Sequence, residues 1–285
     1  DAMRAWRTVH DWLQEWRVPD EPSAIDPPGA KGACVTIRLD GVVLGRAADV
    51  GEDELTLQRA ARAAMAQARE RAPMERGPDV EARLRVLARS LTLDVQLAGA
   101  LVPLLGDSFD EAALSVGPGL DGVAARAGGR LRAVFPATML AQNATPSSTL
   151  ASTAAEALGE AVNIPGRDLK SLREHRSLVP YRFPALHVAQ TAPGREPVFL
   201  TRGGRVVPPT DITEPALREF ADRLAEHIRG RIDDRGDMLG AYEPWSDTFA
   251  QAAAPDRALT AFALARYARA ATTDAARSLA AARTA

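Results

Sequence analysis

Residues Gly32–Arg46 read Gly-Ala-Cys-Val-Thr-Ile-Arg-Leu-Asp-Gly-Val-Val-Leu-Gly-Arg. Cys34, Thr36 and Arg38 alternate with Val35, Ile37 and Leu39, which is the two-residue period of a strand with two distinct faces. Asp40-Gly41 follows, a pair in which both positions tolerate positive φ, so a two-residue hairpin turn is expected there. Val42, Val43 and Leu44 return the chain, and Gly45-Arg46 closes the pair.

Outward from this hairpin the chain alternates helical and strand patterns. Upstream, Met3, Trp6, Val9, Leu13 and Trp16 recur every three or four residues and define one face of a helix that Pro19 is expected to stop. Three of the four tryptophans, Trp6, Trp12 and Trp16, fall on it. That stripe docks on the protein's own core or on a partner protein. Prolines 19, 22, 27 and 28 then mark a strap, so residues 1–30 are expected to form a helix and a Pro-rich linker. Downstream, Asp53 is a candidate cap for a helix that ends before Pro73, with Leu57, Ala60, Ala61, Ala64, Met65 and Ala68 inward. Val80, Leu84 and Leu87 suggest a shorter helix. Leu91 to Leu97 alternates with Thr92, Asp94 and Gln96 as a half-buried strand would. Gly128-Gly129 turns a second hairpin. Thr145-Pro146 starts a helix that Gly159 closes. A third hairpin pairs residues 185–190 with 198–201, and Arg202-Gly203-Gly204-Arg205 turns the chain again.

With this order of elements, residues 31 to about 207 resemble the AMMECR1 domain family. Gly32-Ala33-Cys34-Val35-Thr36-Ile37 fits its first-strand pattern, Gly41 its turn glycine, and Gly119 to Val123 with Phe135-Pro136 a later glycine-led hairpin ending in proline. The resemblance implies an α+β domain, an antiparallel sheet with flanking helices, over residues 31–210. The family's Leu-Arg-Gly-Cys-Ile-Gly signature is replaced here by Leu44-Gly45-Arg46-Ala47-Ala48-Asp49, so its cysteine is missing and no catalytic residue carries over. Residues 211–285 read as a helical appendage. A stripe of Leu217, Phe220, Ala221, Leu224 and Ile228 is expected to be buried, and the segment is similar to the first hairpin of an α/α toroid, of which only a part is present.

Composition narrows the function. With 35 basic and 37 acidic residues the net charge is -2, which argues against a nucleic-acid field. No apolar run reaches the length of a membrane span. One cysteine, Cys34, excludes an internal disulfide and a multi-cysteine metal site. No pair among His10, His175, His187 and His227 has ligand spacing, so neither metal nor cofactor is expected. One cysteine suits a cytoplasmic protein or a periplasmic or exported one, and a start at Asp1 without a methionine reads as a removed signal peptide or as a fragment. Two functional readings remain. One is a non-catalytic scaffold that docks on a partner protein or complex through Trp6, Trp12 and Trp16. The other is an enzyme or small-molecule binder with a pocket near Arg46, Asp121 and His187; separately, Arg202 and Arg205, flanking Gly203-Gly204, offer two guanidiniums to an anion. The best enzyme-like cluster is Glu243 and Asp247 near Tyr242 and Trp245, a candidate sugar-binding edge, and continuation into a longer toroid enzyme is a further alternative.

Overall fold

A computed structural model describes all residues except 21–29, 52–54, 73–78, 160–167, 234, 244–247, 271–274 and 285. The chain is α+β and divides into two compact units, Asp1–Val206 and Val207–Ala285. The first unit runs α1 (Ala2–Glu15), β1 (Gly32–Leu39), β2 (Val42–Val50), α2 (Thr56–Arg71), α3 (Val80–Ala88), β3 (Leu91–Ala98), β4 (Val102–Pro103) and α4 (Phe109–Ala113). It continues through β5 (Asp121–Ala127), β6 (Arg130–Val134), α5 (Pro136–Ala141), α6 (Pro146–Leu158), α7 (Leu169–Arg176), β7 (Val179–Ala189), β8 (Val198–Thr201) and β9 (Gly204–Arg205).

The opening hairpin forms as its sequence dictates. Leu39 pairs with Val42 across Asp40 (φ 49°) and Gly41 (φ 81°). All strand pairings in this unit are antiparallel, in the order β2-β1-β3-β7-β5-β6. β7 joins two halves of the sheet. Its residues 179–184 lie between β4 and β5, and residues 185–189 between β3 and β8. Pro184 sits at the changeover, where one strand leaves its neighbours and takes new ones. The sheet curls enough that β2 and β6, at opposite ends of the order, touch.

Three clusters make the core. On one face of β1 and β3, Val35, Ile37, Leu93 and Val95 meet α1 and α2. On β5, Val123 and Ala125 meet α4, α6 and α7 through Phe109, Leu150, Ala154 and Leu172. Inside the curl, Cys34, Ala98, Ala124, Phe135 and Phe183 pack together, the two phenyl rings edge-to-face at 5.0 Å. α6 carries the local signals expected of it: the Thr145 hydroxyl accepts from Ser148 N at 3.2 Å, Pro146 begins the helix, and Gly159 closes it at φ 70°.

Two expectations are corrected here. The tryptophan helix is not a free docking face. Trp6 and Trp12 are buried in the first cluster, Trp6 Nε1 donates to Leu93 O at 3.0 Å, and Trp16 Nε1 donates to Leu84 O at 2.6 Å. Indole area buried with its N–H satisfied is how a protein uses tryptophan inside its own core. Residues 1–20 therefore belong to the first unit, and the helix ends at Trp16 in the left-handed conformation (φ 51°), ahead of Pro19. The second correction is β3, which is covered on both faces: Asp94 and Gln96 are buried, not turned to water. The expected cap Asp53, Pro73 and most of the Pro-rich strap lie outside the described residues.

The second unit holds α8 (Glu214–Arg229), a hairpin of β10 (Leu239–Glu243) and β11 (Thr248–Gln251), α9 (Ala254–Ala270) and α10 (Ala275–Thr284). Thr213 caps α8 by accepting from Ala216 N at 3.3 Å. The α8 stripe is not buried as expected: Leu217, Phe220 and Leu224 are 55%, 65% and 46% exposed. A short segment of alanine-rich helices has too little surface of its own to cover them.

Candidate functional site

The registers of four strands assemble a polar surface on the sheet face opposite α1 and α2. Arg46, Thr36 and Asp94 align in one row across β2, β1 and β3. Cys34, Gln96 and His187 align in the next row across β1, β3 and β7. Arg38 lies beyond the first row on β1. The apolar half of the same face is sealed by Phe135 and Phe183, so these polar groups stand at one end of the curled sheet.

Arg46 reaches this face because of a β-bulge. Ile37 pairs with Gly45 but Arg38 pairs with Val43, leaving Leu44 as an extra residue in β2. A regular register would place Arg46 opposite Val35, toward the helices. The bulge turns both Leu44 and Gly45 to the helical side and delivers Arg46 opposite Thr36. Gly45 permits this: a Cβ there would lie 2.0 Å from Ala64 O and 2.9 Å from Ala68 N of α2. Gln67 of α2 accepts the Arg46 backbone N–H at 3.1 Å, capping an edge-strand donor. The Arg46 side chain donates from Nε to Thr36 Oγ1 at 3.3 Å.

Asp94 is the electrostatic centre. Its carboxylate is bonded by the Arg38 guanidinium, and His187 Nε2 stands 3.8 Å from Oδ2. Burial opposes the carboxylate's charge, but the His187 imidazole and the Arg38 guanidinium together outweigh it and hold Asp94 below its ordinary pKa. At 3.8 Å the imidazole is beyond ordinary hydrogen-bond length in this arrangement, while the Arg38 guanidinium is in direct contact. His187 Nε2 is buried and makes no hydrogen bond among the described residues. Burial pushes the Cys34 thiol up to about 11, despite the opposing pull of Arg46, so it is neutral and unreactive at physiological pH.

Beside His187 a cleft of about 130 Å³ opens between β3, β7, the β8–β9 turn and α5. Gln96, His187, Leu200, Arg202 and Leu140 line it. Gln96 Oε1 accepts from Ala137 N at 3.1 Å and so ties α5 to the cleft floor. Arg202 sits at φ 52° in the two-residue turn between Thr201 and Gly204.

Of the three residues expected to share a pocket, His187 lines the cleft, as does Arg202 from the expected anion-binding turn. Arg46 is on the same sheet face but is not in the cleft wall. Asp121 is a correction: its neighbours Gly119 and Leu120 line the cleft, while its own carboxylate accepts from Gly117 N at 2.8 Å and meets Arg182 at 3.4 Å. It fastens a turn, which is what a buried carboxylate next to free backbone N–H groups does. Thr36, Arg38, Asp94 and Gln96 were not singled out from sequence. The available signal was polar residues at matching alternate positions on two strands, Thr36 and Arg38 against Asp94 and Gln96.

Elsewhere, His10 stacks on Trp6 at 4.9 Å and His175 bonds Ser171. Asp233 Oδ1 accepts from Arg235 N and Asp237 N at 2.9 and 2.8 Å, a self-contained turn. Of the sugar-site candidates, Trp245 and Asp247 lie outside the described residues. Among the described residues no cluster of His, Cys, Asp and Glu could hold a metal ion, and no helix is long and apolar enough to cross a membrane.

No protein-family model matches the chain, and no curated protein does. Among solved structures, the chain is similar to an uncharacterized protein from Pyrococcus horikoshii, at 15% identity over 69% of this chain and 93% of that one, with a TM-score of 0.48.

Proposed function

We propose that the first unit is an AMMECR1-like ligand-binding domain whose cleft takes a small polar molecule, with His187 as its contact group. The family reading is supported by residues Gly32–Ile37 and the Asp40-Gly41 turn, which have the strand and turn roles the resemblance implies. The ligand reading is supported by one observation above others: at the wall of a cleft, a buried imidazole nitrogen, His187 Nε2, makes no hydrogen bond although it faces the Asp94 carboxylate at 3.8 Å. Leaving such a nitrogen unpaired costs free energy that a bound ligand would recover. The cleft is smaller than the roughly 300–1,000 Å³ of drug-sized pockets, so the occupant is small or inserts only one end. Ligand-observed NMR against small hydroxy acids, amino acids and nucleosides is the test. The expected result is a binder whose affinity falls about tenfold or more in His187→Gln, the loss of a buried hydrogen bond. Equal binding by the variant, or no binder in the panel, removes the proposal.

A second reading keeps the partner protein but moves it to the other unit. Leu217, Phe220 and Leu224 expose one apolar face of α8, and contiguous apolar patches of this kind mark interaction sites. On this reading, light scattering finds the wild-type chain in a species heavier than its own mass, and Phe220→Glu returns it to the monomer. A wild-type chain that is already monomeric and recovers no partner from its native extract overturns it.

A further inference from the structure

Arg46 is a cation without an anion. Arg38 is paired with Asp94, Arg182 with Asp121, and Arg59 with Asp49. Arg46 forms no ion pair among the described residues; its guanidinium has only the Thr36 hydroxyl, accepting from Nε. It is half-buried, beside Thr36 and Cys34, which are 2% and 1% exposed. Neither neighbour can balance its charge. Thr36 is neutral, and the buried Cys34 thiol keeps its proton at neutral pH. The Asp94 carboxylate, one strand further along the row, is already engaged by Arg38 and faced by His187. This face thus carries two guanidiniums and an imidazole but a single carboxylate, and Arg38 and His187 are the groups at that carboxylate. A cation removed from water without a partner is a cost to the fold. Here it is not an accident of a flexible side chain, because the bulge at Leu44, the absent Cβ of Gly45 and the Gln67 contact all fix the strand that presents it.

We infer that this polar sheet face binds an oxyanion, a carboxylate or phosphate group of a small molecule, and that Arg46 carries the recognition of its charge. The planar guanidinium suits such a group because its Nη donors form a fork that a two-oxygen anion can bridge. The inference rests on the ligand-binding reading in taking the occupant to be a small molecule, and it adds the chemical class.

The test uses inorganic phosphate and acetate as probes, titrated into the ¹⁵N-labelled full chain while the arginine Nε–Hε resonances are followed. The Arg46 signal is expected to move and saturate with at least one of the two anions, and the pair of titrations tells which. Arg46→Gln should weaken that binding about tenfold or more, and Arg46→Lys, which keeps charge but loses the fork, should fall between. The thermal midpoint of Arg46→Gln should stay level or rise, since a half-buried charge without an ion-pair partner is removed. No saturable shift with either anion, wild-type binding by Arg46→Gln, or a marked fall in its midpoint overturns the inference. The two proposals fail separately: a neutral cleft ligand that His187→Gln loses, with no anion response at Arg46, removes the oxyanion and leaves the cleft.

Discussion

Gly45→Ala is expected to destabilise the first unit by about 3 kcal/mol or more, the upper end of what overpacking costs. The added Cβ would meet Ala64 O at 2.0 Å and Ala68 N at 2.9 Å. Both are backbone atoms inside α2, so no rotamer change can make room. Either α2 lifts off the sheet, opening the cluster that holds Leu57, Ala61 and Met65, or β2 loses its bulge and returns Arg46 to the helical side. Urea denaturation followed by tryptophan fluorescence measures the effect, because Trp6 and Trp12 are buried in that same cluster. A midpoint within error of wild type would mean that α2 and β2 are not packed this closely.

Asp94→Asn is expected to cost about 3 kcal/mol, the penalty for removing one partner of a buried ion pair. Asparagine keeps the shape but leaves the Arg38 guanidinium, 23% exposed, without a counter-charge. The pH dependence has a definite sign. Asp94 titrates below its ordinary value in the folded protein, and at about 3.9 when unfolded. The stability conferred by its charge is therefore complete above the unfolded value and is lost as pH falls through the depressed folded one. Urea midpoints measured from neutral pH into the acid range should fall below about pH 4 in the wild type, and that limb should flatten in Asp94→Asn. Parallel acid limbs would show that the charge of Asp94 contributes nothing to the fold.

These two residues show how unevenly the fold and the site could be read. Gly45 was noticed as part of a glycine–arginine pair, but its reason lies in α2, a helix that begins several residues later and packs across β2. Asp94 looked like the solvent-facing member of an alternating strand. Alternation identifies two faces, and only tertiary packing decides whether the second face meets water or another part of the sheet. The strand expected from residue 185 begins at Val179 and runs through Pro180 and Pro184, residues that disfavour a central strand. Pro184 is tolerated where the strand exchanges one set of neighbours for another. In the second unit, the helical period of Leu217, Phe220 and Leu224 was legible, but periodicity only states that a face is apolar and leaves open what covers it.

Pieces whose physics is local are legible in the residues themselves. The Asp40-Gly41 and Gly128-Gly129 turns and the Thr145-Pro146 start and Gly159 stop of α6 depend on a few adjacent backbone dihedrals and hydrogen bonds. Those are properties of neighbouring residues, so the letters carry them. Tertiary structure alone decided that Arg38, Asp94 and His187 meet, that Arg46 stands over Thr36, and that the tryptophans face inward. Each depends on which distant strands pair, in what register, and on one extra residue at Leu44. A shift of one residue exchanges the faces of a strand, and no local signal in this sequence fixes that shift.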